Sequence, residues 1–311
     1  MTAGLAATGR TILLLGGTGF LGTNLADWLQ RAGHRVLVTG RSGSTRSGYP
    51  AVSLPLDDIA AICALVRAEC VDTVVHLACR LLPASTEAEY IKEIGEVNYP
   101  MFRLARELAV MGVGLTFVSS GGTVYGSGAQ ALVAEDDPCR PINLYGQAKL
   151  EAELHLRFLA RTCGLHLLIL RPSNPYGPHQ SLHGVQGLVS VILGRIADDR
   201  PLDIWGNGST VRDYIYVEDA VHSMGELIVR NAEGIYNVGS GVGSSLMDVV
   251  RTVEDATGRS VALRFHPARA ADVPRLVLDV GRLAALGFYR ARPMAAGLRR
   301  YVEHLGMTHA G

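Results

Sequence analysis

The sequence predicts an α/β fold in which a doubly wound parallel sheet is followed by a smaller, discontinuous α/β lobe. Three observations support this fold class. Short apolar runs alternate with helix-period segments through the first 172 residues, a glycine-rich turn follows the first run, and the regularity fades after Arg171-Pro172. From there Pro, Gly, His and Asn are frequent, a composition typical of loops that cover a site.

The apolar runs are short and continuous, as expected for strands that are buried on both faces. They predict six strands, over residues 11–15, 36–39, 51–54, 73–77, 115–119 and 166–170. Helical periodicity over residues 20–31, 58–68, 98–111 and 144–163 separates most of these runs, which indicates crossover connections between parallel strands.

The same patterns divide the chain into two parts. Residues 1–172 are predicted to form the sheet domain, and a helix over residues 218–230 is expected to return to it within the segment 211–233. Residues 173–210 and 234–311 are assigned to the smaller lobe, with helices over residues 244–257 and 294–305.

Composition sets limits on the partners. At 311 residues, 48% hydrophobic and 19% charged, the chain is long enough for one large core with an appended lobe. Lys and Arg number 29, as do Asp and Glu, so neither a nucleic acid nor a membrane is an expected partner. The five cysteines have no metal-ligand spacing, so we expect reduced thiols in a cytoplasmic protein and no metal. No apolar stretch reaches about 18 residues, the length of a membrane-spanning helix.

The turn between the first strand and the first helix reads Gly16-Gly17-Thr18-Gly19-Phe20-Leu21-Gly22. Gly16 permits the sharp turn, Gly19 lets the backbone approach a pyrophosphate, and Gly22 lets helix and strand pack closely. Free amides at the helix N-terminus, including those of Phe20 and Leu21, favour phosphate groups. A turn without a ligand has the same composition, but the position between a strand and a helix favours a dinucleotide site.

The end of the second strand reads Thr39-Gly40-Arg41 and holds no carboxylate. An acidic residue here binds the ribose 2′-hydroxyl of NAD, whereas an arginine pairs with the 2′-phosphate of NADP. Gly40-Arg41 therefore favours NADP, and NAD beside a solvated Arg41 is the alternative. Asp57 is placed to accept from the adenine amino group, and Asp58 to cap the next helix.

Tyr145 and Lys149 lie four residues apart in a predicted helix and therefore share one of its faces. The ammonium can lie near the phenol and favour its phenolate form. Such a pair exchanges a proton with a hydroxyl near neutral pH. Together with the dinucleotide turn, the pair predicts hydride transfer.

Further motifs occur in the order in which one enzyme family carries them. They are Val75-His76-Leu77-Ala78, Asn98, Ser119-Ser120-Gly121-Gly122-Thr123-Val124-Tyr125-Gly126, Arg171-Pro172-Ser173-Asn174-Pro175-Tyr176-Gly177-Pro178 and Val211-Arg212-Asp213-Tyr214. With the glycine turn and the Tyr145/Lys149 pair, the chain resembles, nearly end to end, the extended short-chain dehydrogenase/reductases that act on nucleotide sugars. This group includes 4-epimerases and dehydratases, and the resemblance implies a Rossmann fold.

The resemblance implies a role for each matching residue. Tyr145 would be the catalytic acid/base, and Lys149 would hold the nicotinamide ribose and lower the pKa of the tyrosine. Cofactor contacts are implied for Leu77, Ala78, Asn98 and Ser119, and for Pro172 and Ser173 near the carboxamide. Substrate contacts are implied for Asn174, which would meet the pyrophosphate, and for Arg212 and Arg269, which would neutralise it.

One position departs from the family pattern. The residue that is usually a catalytic Ser or Thr is Gly121, which has no hydroxyl. Thr123 or Ser120 is then expected to bond the reacting sugar oxygen, unless Tyr145 or water does so. Thr123 ranks above Ser120, because Ser120 would point away if this stretch is extended. The lack of acids at Gly122 and Thr123 argues against 4,6-dehydration.

The sequence thus predicts redox chemistry at C4 of a nucleotide-linked hexose. A 4-epimerase is favoured, and the alternative is an NADPH-dependent 4-ketoreductase of a nucleotide 4-keto-6-deoxyhexose. A third hypothesis, a catalytically silent NADP-binding sensor, conflicts with the intact Tyr145 and Lys149. The resemblance also implies a homodimer in which helices 98–111 and 144–163 of two copies pair, and exposed apolar faces would be its sign.

Overall fold

The computed structural model describes residues 9–126, 131–184, 186–268 and 273–307. Its strands are β1 (Thr11–Leu15), β2 (Arg35–Thr39), β3 (Thr73–His76), β4 (Gly114–Val118), β5 (Leu167–Pro172), β6 (Asn174–Tyr176), β7 (Leu202–Trp205), β8 (Val211–Tyr216), β9 (Gly234–Val238), β10 (Gly243–Ser245), β11 (Leu263–His266) and β12 (Arg275–Leu276). Its helices are α1 (Phe20–Arg31), α2 (Ile59–Ala68), α3 (Glu87–Glu93), α4 (Tyr99–Met111), α5 (Leu144–Cys163), α6 (Leu188–Ala197), α7 (Val217–Val229), α8 (Leu246–Thr257), α9 (Gly281–Ala284) and α10 (Met294–His304). A π-helical turn, Ile94–Asn98, leads directly into α4.

Six parallel strands form the large sheet in the order β2-β1-β3-β4-β5-β9. The chain winds from β1 to β2 on one side and then from β3 onward on the other, as in a doubly wound Rossmann sheet. Strands such as β1 read as continuous apolar runs because both of their faces are buried. The predicted fold class is confirmed.

The predicted strand over residues 51–54 is wrong. Only Val52 joins the sheet, through a single parallel bridge to Thr39 at the edge of β2. Pro50 and Pro55 bracket the segment, and Val52 is 55% exposed, so neither backbone pairing nor burial extends the strand.

Helices cover both faces of the large sheet. α1 and α7 pack on one face through residues that include Leu25 and Met224. α2, α4 and α5 pack on the other through residues that include Leu104 and Leu156. Asp58 caps α2 by accepting from the Ala61 amide at 3.0 Å, as its position before the helix predicts.

One predicted boundary is wrong at β9. This strand pairs in parallel with β5, so residues 234–238 belong to the large sheet and not to the smaller lobe. The predicted helix over residues 218–230 corresponds to α7, which lies on the same sheet. Pairing between β5 and β9 joins residues far apart in sequence, and no local pattern signals it.

The smaller lobe contains β10, β8 and β12 in one sheet, with β6 beside β8, and a separate β7/β11 pair. α6, α8 and α10 surround a core that includes Tyr176, Ile192, Val249 and Tyr301. α6 has no counterpart among the predicted helices. Within the described ranges, no helix is long and apolar enough to cross a membrane. The carboxyl ends of β1, β3, β4 and β5 meet at one edge, where side chains of the smaller lobe join them.

Candidate active site

A cleft of about 620 Å³ opens at the carboxyl ends of these four strands. Its lining combines the glycine turn, the strand ends and the start of α5. The predicted site residues that it brings together are Gly16, Gly19, Phe20, Leu21, Gly22, Leu77, Ser119, Ser120, Thr123, Tyr145, Lys149, Pro172, Ser173 and Asn174. A ligand in this cleft would touch both the glycine turn and the Tyr145/Lys149 pair.

A second cavity, of about 520 Å³, shares Gly16, Gly19 and Leu77 with the cleft. Ala78 lines it on one side, and Arg41 and Asp57 line it beyond the end of β2. Arg41 and Asp57 therefore lie where the sequence places the adenosine half of a dinucleotide. The cleft and the cavity together can accept a ligand with two nucleotide halves.

The glycine turn has the geometry that a pyrophosphate needs. Gly16 has a φ of 78°, in the left-handed region, and a Cβ there would lie 2.8 Å from the Cα of Ala78. A Cβ at Gly22 would lie 2.5 Å from the Cα of Gly17, so only glycine lets α1 pack this closely. α1 begins at Phe20 without a side-chain cap, which leaves its first amides available to an anion.

The Tyr145/Lys149 pair lies near the start of α5. Asn143 caps this helix by accepting from the Gly146 amide at 2.8 Å. Lys149 is 6% exposed, and its Nζ donates to the carbonyl oxygen of Val118 at 3.0 Å. The same nitrogen lies 5.9 Å from the centre of the Tyr145 ring, so the helix presents both side chains to the cleft.

Burial controls the ionisation of this pair. It raises the pKa of the Tyr145 phenol, whereas Lys149 and a hydrogen bond from Ser120 lower that pKa by a smaller amount. Lys149 therefore acts in the expected direction, but burial outweighs it. Burial lowers the pKa of Lys149, yet the electrostatic interactions with Cys79, Tyr145 and Glu93 outweigh this effect and raise that pKa. At neutral pH the pair is a protonated phenol beside an ammonium.

The loop after β4 presents two hydroxyls. Residues 121–125 form turns, so the assumption of an extended stretch, which ranked Ser120 below Thr123, is wrong. Ser120 lines the cleft together with Tyr145, and it lowers the pKa of that phenol. Thr123 lines the same cleft, and its Oγ1 is buried. The structure thus brings both candidate hydroxyls into the cleft that holds the tyrosine.

Gly121 does not face the cleft. A Cβ at this position would lie 2.7 Å from the carbonyl oxygen of Arg171 and 2.7 Å from Cδ1 of Leu278. A side chain here would therefore meet packed atoms on the far side of the loop. In this conformation, a hydroxyl at position 121 could not reach the tyrosine.

Two buried hydroxyls in the cleft have no hydrogen-bond partner among the described residues. They are Oγ1 of Thr123 and Oγ of Ser173. An unpaired buried hydroxyl costs about 1–3 kcal/mol, which a polar ligand would recover. Ser173 lies beside Pro172, where a nicotinamide carboxamide is expected, and Thr123 lies toward the substrate side. These residues fit NAD or NADP, together with a polyhydroxy substrate.

Asn98 contacts the backbone of the helix that carries the Tyr145/Lys149 pair. It is buried at the end of the π-helical turn and lines neither the cleft nor the second cavity. Its Nδ2 donates to the carbonyl oxygen of Ala148 at 3.1 Å. This bond holds the α5 backbone at the residue before Lys149, and the cofactor contact of Asn98 stays a prediction.

The residues expected at the substrate pyrophosphate lie on adjacent strands. Nδ2 of Asn174, in β6, donates to the carbonyl oxygen of Asp213 in β8 at 2.7 Å. The neighbouring Arg212 is partly buried, and its Nη1 donates to the carbonyl oxygen of Val211 at 2.9 Å. Arg269 lies outside the described residues.

Some lining residues have no signal in the sequence. Leu82-Pro83-Ala84 and Gln180 complete the cleft, but they belong to irregular segments in which no periodicity or motif marks a site. Glu153 is also missing from the predictions, although its spacing of four residues from Lys149 places it on the same helix face. Within the part of the chain that the structure describes, no cluster of three or more His, Cys, Asp or Glu could hold a metal.

The fold and the cleft define a class of protein: an enzyme that binds a nicotinamide dinucleotide on a Rossmann sheet and has a Tyr/Lys pair in the adjoining cleft. The chain belongs to the NAD dependent epimerase/dehydratase family, whose model matches residues 12–239.

Similar proteins within this family have two kinds of activity. A dTDP-4-dehydro-6-deoxyglucose reductase of Escherichia coli is 32% identical over 238 residues, which cover 76% of this chain and 75% of that protein. The UDP-glucose 4-epimerase of Thermus thermophilus, solved with NAD, is 30% identical, with a TM-score of 0.84 and coverage of 97% of this chain and 100% of that chain. The UDP-glucose 4-epimerase of Thermotoga maritima, solved with UDP-glucose, is 28% identical, with a TM-score of 0.87 and coverage of 96% of this chain and 99% of that chain. The chain is thus an NAD(P)-dependent enzyme of the nucleotide-sugar epimerase and reductase family.

Proposed function

We propose that this enzyme is a 4-epimerase that oxidises and re-reduces C4 of a nucleotide-linked hexose. The observation that carries the proposal is the convergence of Tyr145, Lys149 and Ser120 in one cleft with the unpaired hydroxyls of Thr123 and Ser173. A sugar needs such converging polar groups to hold its hydroxyls in a reactive orientation.

In the proposed reaction, the chain moves the proton. Bound NAD(P) supplies the hydride acceptor and, afterwards, the hydride donor. The reaction starts from the phenolate form of Tyr145, whose oxygen takes the proton of the C4 hydroxyl as C4 loses a hydride and becomes a ketone. After the sugar turns, the same oxygen returns the proton as the hydride reaches the opposite face of C4. Between these steps Tyr145 is a neutral phenol. Lys149 and Ser120 favour the phenolate that the first step requires and the second step regenerates, since both lower the pKa of Tyr145.

Asn174 and Arg212 are proposed to hold the substrate diphosphate. Asn174 lines the cleft, and its bond to the Asp213 carbonyl places it next to Arg212 in the neighbouring strand. An arginine binds phosphate oxygens through two parallel N–H groups, so this strand pair is a suitable place for a diphosphate. Arg269 remains a predicted second cation.

The second candidate function is an NADPH-dependent 4-ketoreductase of a nucleotide 4-keto-6-deoxyhexose. Two observations favour it. Arg41 lines the second cavity, where its charge suits the 2′-phosphate of an exchangeable NADP. Burial keeps Tyr145 protonated, so the phenol can donate to the C4 carbonyl oxygen while the hydride of NADPH adds to C4. One keto sugar and one NADPH are then consumed for each alcohol formed.

The enzyme is also proposed to form a homodimer through α4 and α5. Large apolar side chains are exposed on both helices: Tyr99 at 60%, Val110 at 87%, Leu154 at 54% and Phe158 at 47%. The two helices are adjacent, and the rings of Phe102 and His155 stack between them with centroids 3.9 Å apart. A second copy of the chain would cover this face by two-fold symmetry.

One experiment separates the candidate functions. The cofactor released by denaturing the purified enzyme is identified by mass spectrometry, and NADPH consumption is followed with a nucleotide 4-keto-6-deoxyhexose. Retained NAD, interconversion of UDP-glucose and UDP-galactose and no NADPH consumption support the epimerase. NADPH oxidised one-for-one with the keto sugar supports the reductase. No turnover of either substrate, with NADP bound, supports the sensor.

A further inference from the structure

We propose that the buried Glu153/Arg171 ion pair positions the loop 119–125, because it anchors both ends of the segment that carries Ser120 and Thr123. Neither charged side chain lines the cleft or the second cavity. Glu153 and Arg171 are therefore positioning residues that act through the loop. The inference rests on the proposed function only for the role of the two hydroxyls.

The first anchor lies at the start of the loop. The Ser119 hydroxyl donates to Oε1 of Glu153 on the buried side of α5. Glu153 is completely buried and follows Lys149 by four residues. The helix that carries the Tyr145/Lys149 pair therefore also holds the start of the loop.

The second anchor lies at the end of the loop. Nη1 of Arg171 donates to the Tyr125 hydroxyl at 2.8 Å, and the guanidinium carbon lies 4.9 Å from the centre of that ring. The Tyr125 hydroxyl in turn donates to Oδ1 of Asn237 at 2.7 Å. Arg171 belongs to β5 and Asn237 to β9, so two neighbouring strands of the large sheet fix the end of the loop.

The two anchors meet in one ion pair. Nη2 of Arg171 lies 2.6 Å from Oε2 of Glu153, and Nε donates to the two carboxylate oxygens at 3.0 Å and 3.2 Å. The side chains are 2% and 0% exposed, so water cannot solvate either charge and each needs the other. Burial lowers the pKa of Arg171, but Glu153 more than reverses this effect and keeps the guanidinium charged.

Between its anchors, the loop has one backbone bond to the large sheet, from the Gly121 amide to the Pro172 carbonyl at 2.8 Å. Gly121-Gly122 adds backbone freedom, and the amides of Thr123 and Val124 donate to the Ser120 carbonyl at 3.3 Å and 3.1 Å. A displacement of about 1 Å would separate the Ser120 hydroxyl from the catalytic tyrosine, a shift large enough to reduce turnover. We infer that the position of both hydroxyls depends on the anchors in addition to the Gly121 bond.

Tyr125→Phe tests the second anchor, since it removes the hydroxyl and keeps the ring. We expect amide hydrogen exchange in residues 119–124 to accelerate about tenfold, with exchange in α5 and β5 unchanged. We expect kcat to fall about tenfold and KM for the nucleotide sugar to stay within about twofold. Tyr49→Phe is the matched control, because the Tyr49 hydroxyl donates to the Val36 carbonyl at 2.6 Å and Tyr49 lines neither cleft nor cavity.

A double-mutant cycle tests whether the anchor acts through Ser120. If it does, Tyr125→Phe should reduce kcat far less in the Ser120→Ala background than in the wild type. If the loss of kcat in the double variant equals the product of the losses in the two single variants, the anchor does not act through Ser120 and the proposal is overturned.

Two exchange results would also overturn it. One is exchange in residues 119–124 equal to that of the control, and the other is acceleration across the whole large sheet, which would indicate a general stabilising role. If Tyr125→Phe does not fold, Ser119→Ala tests the first anchor by the same measurement. Hydrogen exchange needs no substrate, so failure to turn over nucleotide sugars would contradict the proposed function while the exchange result still decides the loop proposal.

Discussion

The Lys149 ammonium donates to the Val118 carbonyl oxygen at 3.0 Å, which ties the catalytic helix α5 to the end of β4. The same ammonium lowers the pKa of Tyr145 against the opposing effect of burial. Lys149→Met should therefore raise that pKa further, move the rising limb of the kcat/KM profile to higher pH, and reduce kcat/KM at neutral pH about tenfold or more. A pH–rate profile measures the shift.

Lys92 provides the control, because it is the only other lysine of the chain and lies exposed on α3. Lys92→Met should keep the wild-type profile. A Lys149→Met profile that coincides with the wild type would remove Lys149 from the ionisation of the tyrosine.

Tyr145→Phe should reduce turnover about a hundredfold or more, because it removes the group that exchanges the proton with the sugar oxygen. Affinity for the nucleotide sugar should be largely retained, since the phosphate contacts remain. Steady-state kinetics and calorimetric titration measure the two effects separately. Tyr90→Phe, which removes a hydroxyl bonded to Glu151 outside the cleft, should behave as wild type. Near-normal turnover by Tyr145→Phe would refute the catalytic assignment.

Ser120→Ala and Thr123→Ala should have different effects. Ser120 lines the cleft with Tyr145 and lowers the pKa of its phenol, so the loss of Ser120 should lower kcat about tenfold and shift the pH profile upward. Thr123 faces the cleft with an unpaired hydroxyl, so its loss should mainly raise KM for the sugar. The pH dependence of both kinetic constants distinguishes them. A shifted profile in Thr123→Ala alone would assign the tyrosine contact to Thr123.

His76 should make stability depend on pH. Burial, with a smaller contribution from Lys149, lowers its pKa from 6.5 to about 3 in the folded protein. Between pH 6.5 and about 3, His76 binds a proton in the unfolded chain but not in the folded protein. The free energy of unfolding therefore falls as the pH drops through this range. Near pH 5, the His76→Asn variant should take up about one proton fewer on unfolding than the wild type does. Urea titrations at several pH values measure this difference as the slope of the unfolding free energy against pH. Exposed His304→Asn is the control, and equal slopes for the two variants would contradict the prediction.

Val110→Glu should dissociate the proposed dimer, because it places a charge on the exposed apolar face of α4. Light scattering after size-exclusion chromatography measures the mass. Val242→Glu is a matched control, since Val242 is 65% exposed between β9 and β10 and lies on neither α4 nor α5. A wild-type protein that is monomeric at all concentrations would rule out the dimer.

Local chemistry made much of this fold predictable. The glycine turn, the cap at Asp58 and the shared helix face of Tyr145 and Lys149 each depend on residues close together in sequence. Several motifs in a fixed order then extend the prediction to the family. The strand over residues 51–54 is wrong because apolar composition alone does not reveal that Val52 stays exposed at a sheet edge.

The remaining errors depend on contacts between distant residues. The orientation of Ser120 follows from turns at residues 121–125, which an assumed strand does not contain. The bond from Asn98 to the carbonyl of Ala148 is not an error but an additional contact, which depends on how the π-helical turn packs against α5. The position of β9 in the large sheet depends on its pairing with β5, and no local pattern in the intervening sequence predicts this pairing.

The return of the chain to the large sheet after β8 has a consequence for dissecting this enzyme. A fragment that stopped at Pro172 would lack β9 and α7, so it would leave the outer edge of β5 unpaired and uncover the apolar surface of α1 around Trp28. An unpaired edge beside an exposed apolar face promotes aggregation. The cofactor half therefore cannot be produced as an independent truncation, and exchanging substrate lobes between relatives requires junctions on both sides of the α7–β9 segment.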